Sequence, residues 1–289
     1  MIDLLRSESF LIVAAGTMLL AAAAGAVGCL SYFKGQSLIG DPIGHAAFPG
    51  VVAVFMLFQV REPTLFLAGA AVTGALCYVL IQISHHRGGV ALDTAMAIFL
   101  SGFFGIGMAL KTHIQGNPAY RGTSQAGLQN YIFGQAAYMM REDAFLIAAV
   151  AVFCLLLLFV FQKELKLFIF DETYAATVGY GGIGMHLLLL VMLLLLISAG
   201  LKTVGAVLVS SMLILPCIIA SGWSCRFAAV QWIAALVGAV SALIGTAFSF
   251  VGKGISTGPA ILLVMGGFAF FSLVFGTRGA LARQRRKGL

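Results

Sequence analysis

The chain has 289 residues, of which 61% are hydrophobic and 9% charged, against about 45–50% apolar and about 25% charged in an average soluble domain. That composition excludes a secreted enzyme, a nucleic-acid-binding module and a soluble dinucleotide-binding catalyst. With roughly 20 apolar residues needed per crossing, it predicts an all-α integral membrane protein, a polytopic helical bundle of about nine (eight to ten) transmembrane helices in a single domain over 1–289.

The first apolar run follows MIDLLRSESF, whose Asp3 and Glu8 replace the positive charge of a secretory signal, so this run is expected to stay as a span. Apolar segments then predict spans over 10–32, 37–59, 64–84, 90–111, 143–162, 184–199, 203–221, 227–250 and 258–276. The runs are long, rich in Leu and Ala, and lack the period-two alternation of a membrane β-barrel.

The formal charge of +7 owes much to Arg278, Arg283, Arg285, Arg286 and Lys287, which make 278–289 a basic juxtamembrane tail. Positive charge on short loops marks the cytoplasmic side. Counting back from the tail therefore places QKELKLFIFDETYAATVGYGG (162–182) and the SHHRGG loop inside, and 112–142 and the N-terminus outside. The 163–182 segment is amphipathic and long enough for a short lateral helix.

Small residues crowd AAAAGA at 21–26, Gly40 with Gly44, GFFGIG at 102–107, and Gly238 with Gly245, a pattern that lets helices approach closely in lipid. Cys29, Cys77, Cys154, Cys217 and Cys225 are odd in number and lack C-x-x-C spacing, which reads as core packing.

Among ionisable groups within spans, Asp41 and His45 stand out. Four residues apart, they share one helix face, about 6 Å apart along the axis. A charge at bilayer depth costs at least about 2.5–3.5 kcal/mol, so it marks function by default. A carboxylate with an imidazole suits Mn(II), Fe(II) or Zn(II) better than Cu(I). The alternative is structural: Asp41 as helix N-cap with Pro42 in the first turn.

His85 and His86 read as a solvated turn, His113 as an exposed loop residue and His186 as interfacial. Gly254-Ile255-Ser256-Thr257-Gly258 matches G-x-S-x-G but lacks the strand–turn–helix context of a nucleophile elbow. No Walker A sequence is present, so ATP, if used, binds a partner.

Several segments in order resemble the membrane-spanning permease subunits of bacterial ABC importers for zinc, manganese and iron. Leu38-Ile39-Gly40-Asp41 with Gly44-His45-Ala46-Ala47-Phe48-Pro49-Gly50 is similar to the family's GDALSHAVLPG. Asp93-Thr94-Ala95 with Ser101 to Gly107, and Gln125 to Leu128 with Tyr131 to Ala136, match further signatures. Phe170-Asp171, Val204-Gly205, Leu213-Ile214-Leu215-Pro216 and Thr257-Gly258-Pro259-Ala260-Ile261 follow. Departures are Pro42, and Cys217 with Ile218 after Pro216.

The resemblance implies that Asp41 and His45 contact the metal along its path. It also implies that 163–182 is a coupling segment docking on the ATPase, with Phe170, Asp171, Glu172 and Gly179 as contact residues. The implied partners are a cytoplasmic ABC ATPase dimer, a second permease copy or paralogue, an external metal-binding protein and membrane lipid, without nucleic acid. No cofactor is permanently bound, ATP sits only on the partner, and the location is the bacterial cytoplasmic membrane. Alternatives are a cobalamin or iron-siderophore permease, an ATP-independent metal carrier, or an intramembrane enzyme using Ser256.

Overall fold

The computed structural model describes residues 7–59, 62–117, 134, 139–201, 203–252 and 255–277. The segment around Gln125 to Ala136, apart from Gly134, and the basic tail at 278–289 lie outside the described residues. The described chain is helical: α1 (Glu8–Phe33), α2 (Gly40–Phe58), α3 (Pro63–His86), α4 (Leu92–Gly116), α5 (Arg141–Val160), α6 (Gln162–Phe170), α7 (Glu172–Thr177), α8 (Ile183–Leu201), α9 (Ala206–Ser221), α10 (Phe227–Val251) and α11 (Thr257–Phe275).

Eight of these helices are long and apolar enough to cross a membrane. The apolar α9 has 16 residues, about 24 Å of helix, yet it also runs from one end of the bundle to the other. Near its start, Ala206 lies against Gly44, while Val204 and Leu208 lie beside Gly258 at the head of α11. At its other end Ser272 donates to the Ile219 carbonyl at 2.8 Å and Thr277 to that of Gly222 at 2.9 Å.

The remaining contacts sort the helix ends in the same way. Phe10 packs edge-on against Phe250, and Arg141 pairs with Glu8, so the starts of α1 and α5 and the end of α10 share one side. On the opposite side Phe33 meets Phe170 and Phe227, bringing the end of α1, the end of α6 and the start of α10 together. The described residues thus hold eight candidate spans with the shorter α9 packed among them, and α6 and α7 lie on the side where α11 ends.

The helices close in on one another where side chains are smallest. A side chain at Gly28 would collide with the Leu213 backbone of α9, and one at Gly50 with the Gly69 backbone of α3. In lipid, such backbone approach replaces the hydrophobic drive that packs soluble helices. Gly238 and Gly245 follow the expectation, lying against Ala21 and Ile261. GFFGIG follows it only in part: Gly107 meets Phe48 and Pro49, whereas Gly102 and Gly105 have open space. Cys29, Cys77, Cys154 and Cys217 are buried and Cys225 is exposed.

Several boundaries shift. α4 continues to Gly116, so His113 belongs to its last turn rather than a loop. His85 and His86 fall in the last turn of α3, where His85 Nδ1 lies 2.9 Å from the Val90 carbonyl and steadies the turn. The single lateral helix expected in 163–182 is two helices, broken at Asp171, whose carboxylate accepts from the Tyr174 N–H at 2.8 Å. An N-cap aspartate starts a new helix in a new direction.

Gly28→Val is expected to abolish recovery of folded protein, because the α1–α9 contact has no room. Gly266→Ala, at an open position inside α11, should instead gain about 0.5–1 kcal/mol. Thermal unfolding in detergent measures both, and equal recovery of the two variants contradicts the packing account.

Candidate functional site

The first turn of α2 begins inside the bundle. After α1 ends, the chain turns back through Gly35 (φ +75°), and the Gln36 N–H bonds the Ser31 carbonyl at 2.9 Å. Gln36 and Ile39 are buried. Gly40 then lies against Leu213, midway along α9. The Cys77 thiol of α3 approaches the Pro42 carbonyl at 3.8 Å. Cys77 is nine residues short of His86, where α3 ends, so this turn sits about 14 Å inside that end.

Asp41 does not cap the helix. The N-cap is Ile39, with no side-chain bond, and Asp41 lies in the first turn itself. The reason is the turn over 36–39, anchored by buried Gln36 and Ile39, which starts the helix one residue before the carboxylate. The N-terminal end of a helix favours negative charge, so an acidic side chain suits the position without serving as a cap.

Exposure singles out the pair. From Gly40 to Gly50 every residue is buried except Asp41 and His45, which are half-buried. Their four-residue spacing puts both on the one open strip of α2. The His45 ring meets Phe104 of α4 edge-on, with centroids 5.1 Å apart, while Gly40 and Gly44 on the same turns touch α9. The strip therefore lies between α4 and α9, and on α9 Val207, Ser211, Ile214 and Ile218 continue the open face at helical spacing. Among the described residues no third His, Cys, Asp or Glu completes a metal-holding cluster.

At the other end of the short link 34–39 stands a contact that the sequence did not announce. Lys34 Nζ lies 3.1 Å from His186 Nε2, 3.8 Å from a Glu172 carboxylate oxygen and 3.8 Å from the centre of the Phe168 ring. His186 Nδ1 is 3.2 Å from the Gly182 carbonyl. The lysine thus joins the end of α1 to α6, α7 and α8, and His186 is a linking residue rather than a merely interfacial one. Partners 152 positions apart in sequence leave no local signal. Of the four residues expected for coupling, Phe170 is exposed yet packs on Phe33 and Phe227. Asp171 starts α7, Glu172 pairs with Lys34, and Gly179 takes φ +89°, turning the chain toward α8. Ser256 precedes α11 without a side-chain capping bond.

Burial pushes the Lys34 ammonium down from 10.5 to about 8, with the Glu172 carboxylate partly holding it up. Between these values the folded state binds fewer protons than the unfolded state, so raising the pH from about 8 toward 10.5 favours the fold at this site, while the ion pair itself is lost. NMR of methylated lysines is expected to show one midpoint near 8, lowered further by Glu172→Gln. A midpoint at the ordinary value contradicts the burial of this group.

Residues 7–276 match the ABC 3 transport family. The chain is 38% identical over 270 residues to the manganese transport system membrane protein MntC of Bacillus subtilis, covering 93% of this chain and 61% of that protein, which is the longer. It is 35% identical to the zinc transport system membrane protein TroC of Treponema pallidum, covering 96% of this chain and 93% of that one. The solved structure of PsaBC from Streptococcus pneumoniae in complex with Fab superposes with a TM-score of 0.82 at 27% identity, covering 98% of each chain. The chain belongs to the ABC 3 transport family, as a multi-pass membrane permease subunit.

Proposed function

We propose that the chain forms half of the passage of an ATP-driven importer for a divalent transition-metal ion (manganese, zinc or iron) in the bacterial cytoplasmic membrane. The observation that carries the reading is the open Asp41–His45 strip on an otherwise buried stretch of α2. The names of the manganese and zinc relatives point the same way. Carboxylate oxygen and imidazole nitrogen replace part of the hydration shell of an entering cation and so lower its desolvation cost. Two ligands per chain hold an ion less firmly than a closed four-ligand cage, which suits transit.

A second copy or paralogue facing this strip supplies the other wall of the passage. An external metal-binding protein delivers the ion on the side of the α1 start. A cytoplasmic ATPase pair docks on the opposite side, against Phe170, Asp171, Glu172 and Gly179. Movement of α6 and α7 reaches the metal pair through Lys34 and the short link to Asp41, alternating access to the passage.

Asp41→Asn and His45→Gln keep shape and remove a ligand atom or its basicity. Each is expected to lower metal uptake by about tenfold or more, the effect of losing roughly 1.4 kcal/mol of ion stabilisation, with expression and thermal stability retained. Uptake of radioactive manganese or zinc into cells tests this. Near-normal uptake in both variants overturns the assignment of the path.

A further inference from the structure

His186 stands where the 163–182 segment returns to the bundle, at the fourth position of α8, and its ring has neighbours of different chemistry. Lys34 Nζ, just past the end of α1, lies 3.1 Å from Nε2, and the Gly182 carbonyl lies 3.2 Å from Nδ1. A Glu172 carboxylate oxygen of α7 is 3.6 Å from Nε2. The Phe168 ring of α6 meets the imidazole edge-on, with centroids 4.8 Å apart.

These partners fix the proton count. A carbonyl only accepts, so Nδ1 carries a hydrogen; an ammonium only donates, so Nε2 offers its lone pair to Lys34. The imidazole that fits is therefore neutral. A second proton on Nε2 turns this acceptor into a donor and sets two positive charges 3.1 Å apart, with the Glu172 carboxylate to share between them. The Nδ1 bond to Gly182 survives that change, so the loss falls on the Lys34 contact. Imidazole is the side chain whose charge ordinarily changes between about pH 5 and 8, and this one is 28% exposed, within reach of protons from solvent.

The other elements around the ring do not cancel the added charge. His86 of α3 lines the same groove between α3 and α8 and gains positive charge as the pH falls, while Tyr78 on that groove is an uncharged phenol in this range. Glu164, one turn before Phe168 on α6, pairs with neither cation among the described residues. The end of α5 over 151–160 and the whole of α9 bring buried thiols, Cys154 and Cys217, but no charge. On α2, Asp41 belongs to the strip between α4 and α9.

We propose that His186 is a positioning residue for transport and a proton sensor: neutral, it holds Lys34 and with it the end of α1; protonated, it takes Glu172 for itself and expels Lys34. The step is the transfer of one proton from water to Nε2. The end of α1 then parts from α7 and α8, the short link to Asp41 loosens, and acid on the side of α6 and α7 slows import. The inference rests on the reading of 163–182 as the coupling segment and adds its regulation.

The full-length chain in nanodiscs tests the contact. Nitrogen-15 spectra of labelled histidine are expected to show one ring protonated at Nδ1 alone at neutral pH, absent from His186→Gln. Hydrogen exchange over 31–39, corrected for the intrinsic rate, should rise about tenfold between about pH 7.5 and 5.5, as one imidazole passes from mostly neutral to mostly charged. It should stay flat in His186→Gln, whose amide oxygen accepts from Lys34 but takes up no proton. In cells whose internal pH is clamped with a permeant weak acid, metal uptake should fall alike in wild type and His86→Gln, and His186→Gln should escape the acid inhibition. His186→Leu, without an acceptor, should transport less well than His186→Gln at neutral pH. Equal acid response of wild type and His186→Gln in either measurement overturns the proposal, and so does a proton on Nε2 rather than Nδ1 at neutral pH. Normal uptake in the Asp41 and His45 variants defeats the metal path instead and leaves the exchange result standing.

Discussion

A carboxylate held inside a lipid-surrounded protein is the constraint around which this chain is arranged. Asp41 reaches that depth because α2 starts inside the bundle, and α2 can start there because the turn before it buries Gln36 and Ile39 and bonds both of their backbone N–H groups. Irregular backbone is tolerated at membrane depth only where protein covers it. The cover here comes from α1 and α9, whose close approach depends on Gly28 lying against the Leu213 backbone. Glycine packing thus permits the turn inside the bundle, the turn sets the start of α2, and the start of α2 presents the acid–imidazole pair.

The opposite end of the link is built from different chemistry. Phe33, Phe170 and Phe227 form an aromatic cluster where α1, α6 and α10 meet. Lys34 sits beside it with its side chain 10% exposed, over the Phe168 ring and paired with Glu172. Its charge is therefore partly desolvated but not isolated, since cation–π contact and a carboxylate offset the lost hydration. Only five residues separate Lys34 from Gly40, the first residue of α2. A shift of α6 and α7 cannot be absorbed over so short a stretch without disturbing the end of α1 or the start of α2.

Much of this was legible in the sequence, for physical reasons. Helix number and position follow from apolar length, a local property, and all nine predicted runs have a helical counterpart. The Asp41–His45 pair was legible because ionisable groups inside apolar runs are conspicuous and four-residue spacing fixes their shared face. What failed depended on three-dimensional neighbours. The turn before Gly40, anchored by buried Gln36 and Ile39, displaced Asp41 from the N-cap. Asp171 divided the 163–182 segment because its side chain found the Tyr174 N–H. The Lys34–His186–Glu172 contact joins residues from distant helices, and nothing in their local sequence marks it. Gly102 and Gly105 read as packing residues yet face open space, because small residues permit close approach without requiring it.

The open strip on α2 and the continuing face of α9 carry one further step of argument. A lone Asp–His pair facing acyl chains is a poor solution energetically, since membrane proteins turn such groups toward protein or water. Phe104 shields one side of the imidazole, and Val207, Ile214 and Ile218 are apolar, while Ser211 turns its hydroxyl to its own helix, donating to the Val207 carbonyl at 2.7 Å. The strip therefore offers a cation one acid, one imidazole and little else. Such a surface selects weakly by itself, because ligand type and geometry, not affinity alone, separate divalent metals. On the proposed reading, discrimination falls to whatever faces the strip and to the protein that loads it, which leaves α2 free to favour release over retention.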